Sequence, residues 1–123
     1  MIWIYRMQNA EGRGPWAPGF SHLWVVDRED HNRLPPITAE FSLDFYSLDR
    51  RWFYGTGCRT LEQLRRWFIP KEYRVLRNLG YNAVLMSVQT ILAESDVQLV
   101  FRRGSPLNVG FQVVSLYDAG VAA

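Results

Sequence analysis

The residues from Tyr54 to Thr60, read as Tyr-Gly-Thr-Gly-Cys-Arg-Thr, combine features that could hold an anion. An aromatic run ends at Tyr54, glycine follows at Gly55 and again two residues later, and Thr60 opens an amphipathic segment. Backbone N–H groups and the dipole at the start of a helix attract negative charge. The segment predicts a glycine turn that presents these donors to a phosphate. It matches neither the Walker motif nor the dinucleotide fingerprint, so an ordinary turn before a well-capped helix is the alternative.

Two helices are predicted directly after this junction. Thr60 and Gln63 have the spacing of a capping box, in which each side chain bonds the backbone of the other residue. A second helix opens at Pro70, where the missing N–H is harmless, and ends at Gly80. The apolar stripes that should face the core are Leu61, Leu64 and Phe68, with Trp67 at the edge, in the first helix, and Tyr73, Leu76 and Leu79 in the second.

Positive charge is concentrated in residues 50–77. This segment carries seven Arg and Lys71 against Glu62 and Glu72, whereas the segments before and after it are both net negative. Such a patch attracts phosphates or an acidic protein, and the interleaved aromatic residues could stack on nucleic-acid bases. The alternative is a solvated helix face. The candidate partner-binding residues are Arg50, Arg51, Arg59, Arg65 and Arg66.

Acidic and amide groups recur at a spacing of two along a late apolar segment. Glu94, Asp96 and Gln98 would share one face of a strand over residues 94–103. A carboxylate or amide there could stabilise a developing cation or hold a sugar hydroxyl, and an exposed strand edge is the alternative. Cys58 and the two histidines lack the short spacing of metal ligands, so we expect no metal site and a buried Cys58.

A chain of 123 residues with 48% apolar residues fits one domain, which we place at residues 1–118 with a frayed tail at 119–123. The predicted fold is α+β, with two central helices and a small antiparallel or mixed sheet of N- and C-terminal strands. Alternation in the first strand places Arg6 on the same face as Ile2 and Ile4. Pairing of early with late strands would bring Arg6, the glycine turn and Gln98 to one cleft.

The compartment is predicted from what the sequence lacks. No apolar run reaches the ~18 residues that a membrane helix needs, no signal peptide opens the chain, and Cys58 has no second cysteine with which to pair. These features predict a cytoplasmic protein without membrane contact. They leave the oligomeric state open.

The order of these features is similar to that of small proteins of tailed phages and prophages. It also resembles a minimal mono-ADP-ribosyltransferase, with Arg6 on the first strand, Tyr54 and Gly55 before a helix, and the pattern Gln-Leu-Val-Phe from Gln98 on a late strand. This resemblance implies an ADP-ribosyltransferase-like fold and NAD as the cofactor. Arg6 would bind the phosphate or ribose of NAD and Tyr54 would stack on nicotinamide, with Gly55 and Thr60 in the same cofactor site. Gln98, or Glu94 in its place, would be the catalytic residue.

The resemblance implies an accessory phage protein that acts on a host macromolecule in the host cytoplasm. The activity would be NAD-dependent ADP-ribosylation of a host protein or nucleoprotein, in a counter-defence role such as anti-CRISPR activity. The competing hypothesis is a protein without catalysis. It would inhibit its target, or bind a protein or nucleic acid, through the basic aromatic segment 50–77.

Overall fold

The computed structural model describes residues 1–15, 41 and 49–117, which form an α+β fold. The predicted tail at 119–123 lies outside the described residues. Within these ranges, no helix has the length and apolar character needed to cross a membrane. The elements in chain order are β1 (Ile2–Gln8), β2 (Phe53–Gly57), α1 (Leu61–Trp67), α2 (Pro70–Asn78), β3 (Asn82–Val88), β4 (Thr90–Glu94), β5 (Leu99–Arg103) and β6 (Phe111–Val114).

The described strands form two three-stranded antiparallel sheets. One has the order β1-β3-β6 and the other the order β2-β5-β4. The sequence correctly predicted α+β and the pairing of early with late strands, since β1 pairs with β3 and β2 with β5, but it predicted one sheet instead of two. In the structure β1 pairs with β3, and the chain runs through Gln89 into β4, so that consecutive strands lie in different sheets.

The two sheets are joined where Tyr5 and Cys58 exchange both backbone hydrogen bonds, each at 2.8 Å. A Cβ atom on Gly57 would lie 2.7 Å from the carbonyl oxygen of Tyr5, so a side chain would prevent this approach. The predicted glycine turn is therefore wrong, because Gly55 and Gly57 are residues of strand β2. Glycine is needed here for close packing, not for a turn.

The buried residues form two clusters, and β1 contributes to both. Ile4 belongs to a cluster shared by the two sheets, whereas Met7, which points to the other face of β1, belongs to the cluster beneath the helices. This confirms the alternation predicted for the first strand. The first cluster consists of Ile4, Val84, Met86, Val88, Leu99 and Phe101, and the second of Met7, Cys58, Leu64, Phe68, Tyr73, Leu76, Tyr81, Ala83 and Leu116.

The helix ends follow the local signals in the sequence. Thr60 is the N-cap of α1, and its hydroxyl accepts a hydrogen bond from the Gln63 backbone while the Gln63 side chain accepts from Thr60. The predicted helix at Pro70 is also confirmed, with Gly80 following it at a φ of 93°. Leu79 was predicted to face the core, but it is the C-cap of α2 and is 42% exposed.

The predicted strand over residues 94–103 is interrupted by a turn. The backbone N–H of Ser95 donates to the carbonyl of Gln98 at 2.8 Å, and the Ser95 hydroxyl accepts from the backbone N–H of Val97 at 3.2 Å. Serine offers the backbone these local bonds in place of ladder bonds. Glu94 therefore ends β4, and the prediction that it shares a strand face with Asp96 and Gln98 is wrong.

Candidate functional site

Arg6 is a buried cation on strand β1. Its residue surface is only 6% exposed, since it extends from the same strand face as Ile4 into the space between the two sheets. Burial disfavours the charged form and lowers the pKa of Arg6 to about 10. A pKa of about 10 still leaves the guanidinium charged at neutral pH.

The guanidinium of Arg6 has few partners. Within the described part of the chain its Nε and Nη1 atoms have no hydrogen-bond partner, and Nη2 lies 3.5 Å from the carbonyl oxygen of Gly12. The Cζ atom of Arg6 lies 5.7 Å from the centroid of the Phe101 ring, which gives a cation–π contact. Buried donors without acceptors cost about 1–3 kcal/mol each, and more when the group is charged. The Arg6 position is therefore a source of instability in the ligand-free fold.

Glycines surround the guanidinium. A Cβ atom on Gly55 would overlap Nη1 of Arg6 and would lie 2.7 Å from Cζ of Phe101, and a Cβ atom on Gly14 would lie 3.4 Å from Nη2. Gly55 was predicted from the sequence to share a site with Arg6, and the structure brings these two residues into contact. The contact is possible because β2 crosses the Arg6 face of β1, and Gly55 presents only backbone where another residue would place a side chain.

Gln8 is a second buried polar residue on the same face of β1, and it was missed in the sequence. It is 1% exposed, and its Nε2 donates to the carbonyl of Leu107 at 2.8 Å. Its Oε1 atom has no hydrogen-bond partner among the described residues. The alternation of side chains along the first strand could have identified Gln8, because it follows Arg6 by two residues and therefore lies on the same strand face.

The other residues predicted for the NAD site have separate structural contacts. The Tyr54 hydroxyl donates to the carbonyl of Asp49 at 2.8 Å, and Thr60 caps α1. Arg59 donates to both carboxylate oxygens of Glu94, at 2.7 and 2.9 Å, and holds the pKa of that carboxyl below its usual value. Gln98 is buried and directly precedes β5. Tyr54, Thr60 and Glu94 thus make contacts that stabilise local structure.

The predicted partner-binding arginines differ in how they are engaged. Arg51 pairs with Asp49 at 2.7 Å and Arg59 with Glu94, while Arg65 donates to the carbonyl of Leu116 at 2.7 Å. The guanidinium of Arg65 also lies 5.7 Å from the centroid of the Tyr117 ring, so its side chain packs on the segment that follows β6. Arg50 and Arg66 are exposed.

The cations of α2 form a separate basic face, which we define as Lys71, Arg74 and Arg77. All three are exposed, and none takes part in an ion pair within residues 1–15 and 49–117. A shallow depression of about 270 Å³ is lined by the two arginines, Tyr73 and Asn78. The guanidinium of Arg77 lies 5.8 Å from the centroid of the Tyr73 ring. The sequence counted these cations in its basic segment but did not single them out.

Cys58 is a buried free thiol. Cys58 is 2% exposed, its thiol lies 3.6 Å from the carbonyl of Val97, and burial raises its pKa to about 12. It is therefore a neutral thiol at physiological pH and a poor nucleophile. In the described ranges, no three His, Cys, Asp or Glu side chains lie close enough together to hold a metal ion.

The fold and its charges define a small α+β domain with two antiparallel sheets, a buried arginine and a basic helix face. The chain belongs to the family described as Bacteriophage T4 Y00F protein, whose sequence pattern it matches over residues 1–114. No curated protein and no solved structure matches the chain. The family confirms the predicted phage protein. The comparisons give no support to the resemblance to mono-ADP-ribosyltransferases.

Proposed function

We propose that this phage-family protein acts in the cytoplasm of the infected host by binding an acidic surface of a host protein, without catalysis. The observation that carries this proposal is the basic face of α2. Its three exposed cations have no carboxylate partner in the described ranges, and two of them border a depression. The proposal refines the interpretation of segment 50–77 as a binding module.

The spacing of the basic face suits short acidic segments. Lys71, Arg74 and Arg77 recur every three residues, so they lie along one side of the helix over about 9 Å. Guanidinium groups form two parallel hydrogen bonds with a carboxylate, a geometry that a lysine cannot supply. Two arginines beside a depression can therefore fix both the position and the orientation of an acidic side chain.

The structure favours a protein over a nucleic acid as the partner. The chain has a net charge of only +2, and strong nucleic-acid binding requires many phosphate contacts. Two of the aromatic residues predicted to stack on bases are engaged inside the fold: Phe68 is 3% exposed, and the Trp67 indole donates to the carbonyl of Val97 at 2.8 Å. Phe53 is 40% exposed. Trp52 packs against the guanidinium of Arg102 at 4.4 Å.

The test is capture of host proteins by the tagged full chain, comparing Arg74→Glu/Arg77→Glu with a matched charge reversal, Arg13→Glu/Arg51→Glu. The control arginines are also exposed, but each is paired with an acidic residue. We expect a host protein that is captured by the natural chain and by the control, and lost with the α2 variant and at high salt. Capture that disappears after nuclease treatment would indicate nucleic acid. Equal capture by both variants would overturn the proposal.

A second candidate is NAD-dependent ADP-ribosylation of a host macromolecule, in a counter-defence role such as anti-CRISPR activity. The contact between Arg6 and Gly55 favours it, because both were assigned to the NAD site. The Glu94 carboxylate would have to leave Arg59 to serve as the catalytic group, whereas Gln98 would be the amide alternative. Calorimetric titration with NAD and ADP-ribose tests this candidate. Saturation at 100 times Kd should stabilise the fold by about 2.7 kcal/mol, and no response at millimolar NAD would exclude it.

A further inference from the structure

We infer that Arg6 and Gln8 form a binding site for a small oxyanion that also carries a hydrogen-bond donor, as hydrogen phosphate and hydroxycarboxylates do. The inference is independent of the basic face of α2. It depends on two buried side chains of one strand face, each with a polar atom that has no partner among the described residues.

Arg6 carries the hydrogen-bond donors of the inferred site. Nε and Nη1 are both without acceptors, while the third nitrogen lies 3.5 Å from the Gly12 carbonyl. Oxyanions accept hydrogen bonds from guanidinium N–H groups, often two at a time. An oxyanion would therefore satisfy the donors that the fold leaves free.

Among the described residues, Arg6 has no ion-pair partner. Glu11, in the loop that passes over Arg6, pairs with Arg13 at 3.5 Å instead. The carboxylates of Asp49 and Glu94 are paired with Arg51 and Arg59. A buried charge without a partner is strongly unfavourable, so a bound anion would remove a large electrostatic penalty.

The loop at residues 9–15 covers the Arg6 guanidinium with backbone. Gly14 is half-buried, and a Cβ atom there would lie 3.4 Å from Nη2. The loop is shaped by Asn9, whose side-chain oxygen accepts from the N–H groups of Glu11 and Arg13 at 3.0 and 2.9 Å. Gly12 has a φ of 83°, which favours glycine. This construction keeps side chains away from the charged group.

Gln8 defines the class of ligand. Its amide nitrogen is already used by the carbonyl of Leu107, which fixes the orientation of the amide and leaves Oε1 as a buried acceptor. An acceptor requires a donor on the ligand. Hydrogen phosphate carries a P–OH group and lactate a hydroxyl, whereas sulfate and acetate carry neither at neutral pH.

The experiment measures the melting temperature of the full chain with phosphate, sulfate, lactate and acetate, each compared with sodium chloride at equal ionic strength. We expect phosphate or lactate, according to whether the natural ligand is a phosphate or a carboxylate, to raise Tm by about 5–10 °C near saturation. Sulfate and acetate should give clearly smaller shifts. Equal shifts for all four anions would overturn the role of Gln8, and no shift beyond that of chloride would overturn the site.

Variants assign the effect to these residues. Arg6→Met should fold and lose the anion-dependent shift, and Gln8→Met should reduce the preference for the donor-bearing anion. Arg74→Ala/Arg77→Ala should retain the full shift, which separates this site from the basic face of α2. A shift that persists in Arg6→Met, or that disappears in the α2 variant, would overturn the inference.

Discussion

Two buried arginines lie in different sheets of this protein, and their surroundings are opposite. Arg103 on β5 is 5% exposed and donates four hydrogen bonds, to the carbonyls of Ser87, Pro106, Val109 and Gly110 at 2.7–2.9 Å. Arg6 on β1 is 6% exposed, and its hydrogen bond among the described residues is a long one, to the carbonyl of Gly12 at 3.5 Å. Burial lowers the pKa of both side chains.

The difference shows what each arginine contributes. The bonds of Arg103 hold the segment 104–110 against the end of β3 and satisfy carbonyls that a loop would otherwise leave without donors. Arg6 stabilises no such segment, and its free donors lower the stability of the fold. Residues that reduce stability without a structural benefit are typical of functional sites. The comparison therefore assigns Arg103 to the fold and Arg6 to a ligand.

The largest expected effect is at Arg103. Arg103→Met should destabilise the fold by about 3–5 kcal/mol, because it removes four charge-assisted hydrogen bonds and leaves carbonyls unsatisfied. Urea unfolding monitored by tryptophan fluorescence measures this. A loss of stability below about 1 kcal/mol would show that the hydrogen bonds from Arg103 to the four carbonyls do not stabilise the fold.

The next effect is at Gly55, where β2 packs on Arg6. Gly55→Ala should destabilise by about 2 kcal/mol, because the new methyl group overlaps Nη1 of Arg6 and crowds Phe101. Combining it with Arg6→Ala should recover part of this loss, since the overlapping side chain is removed. Gly57→Ala is the matched control, because it clashes with the Tyr5 backbone and Arg6→Ala should not relieve it. Equal recovery in both double variants would contradict the packing described for Arg6.

Arg6→Met should change the free energy of unfolding in the opposite direction to Arg103→Met. Replacing a buried cation that lacks a partner with an apolar side chain of similar length should raise the ligand-free stability by about 1 kcal/mol. The same urea unfolding experiment, in chloride buffer without oxyanions, measures it. A destabilisation as large as that of Arg103→Met would show that both arginines serve the fold.

The last predicted change in stability is at Thr60, which caps α1 and has no contact role at either arginine. Thr60→Ala removes the N-cap hydrogen bond of α1 and should cost about 1 kcal/mol. Its response to phosphate or lactate should equal that of the natural chain. A weakened response in this variant would mean that reduced stability, rather than the loss of Arg6, explains altered anion binding.

The sequence predicted the features that depend on neighbouring residues. The Thr60–Gln63 capping box, the start of α2 at Pro70 and the alternation around Arg6 all follow from local geometry. The strand assignment of Gly55 could not be predicted, because its cause is the approach of β1 from a distant part of the chain.

The candidate site was also predicted only in part, because some of its contacts join residues that are distant in sequence. Arg6 and Gly55 were selected from the sequence, and the structure brings them into contact. Which arginines of the basic segment are free could not be predicted, because Arg59 is engaged by Glu94 and Arg65 by the carbonyl of Leu116, both distant in sequence. The break after Glu94 was also missed, since periodicity alone does not reveal the hydrogen bonds of Ser95.

The pairing of β1 with β3 has a consequence for how the protein folds. The residues that β1 contacts, Asn82–Val88, come more than 70 positions later in the chain, whereas β4 and β5 are joined by a short turn. Closing a long loop is slower than forming local contacts. During synthesis β1 emerges before β3, so among the described residues its ladder partner is absent until β3 has left the ribosome. We therefore expect the strand that carries Arg6 to dock late, on a body already formed by the residues that follow it.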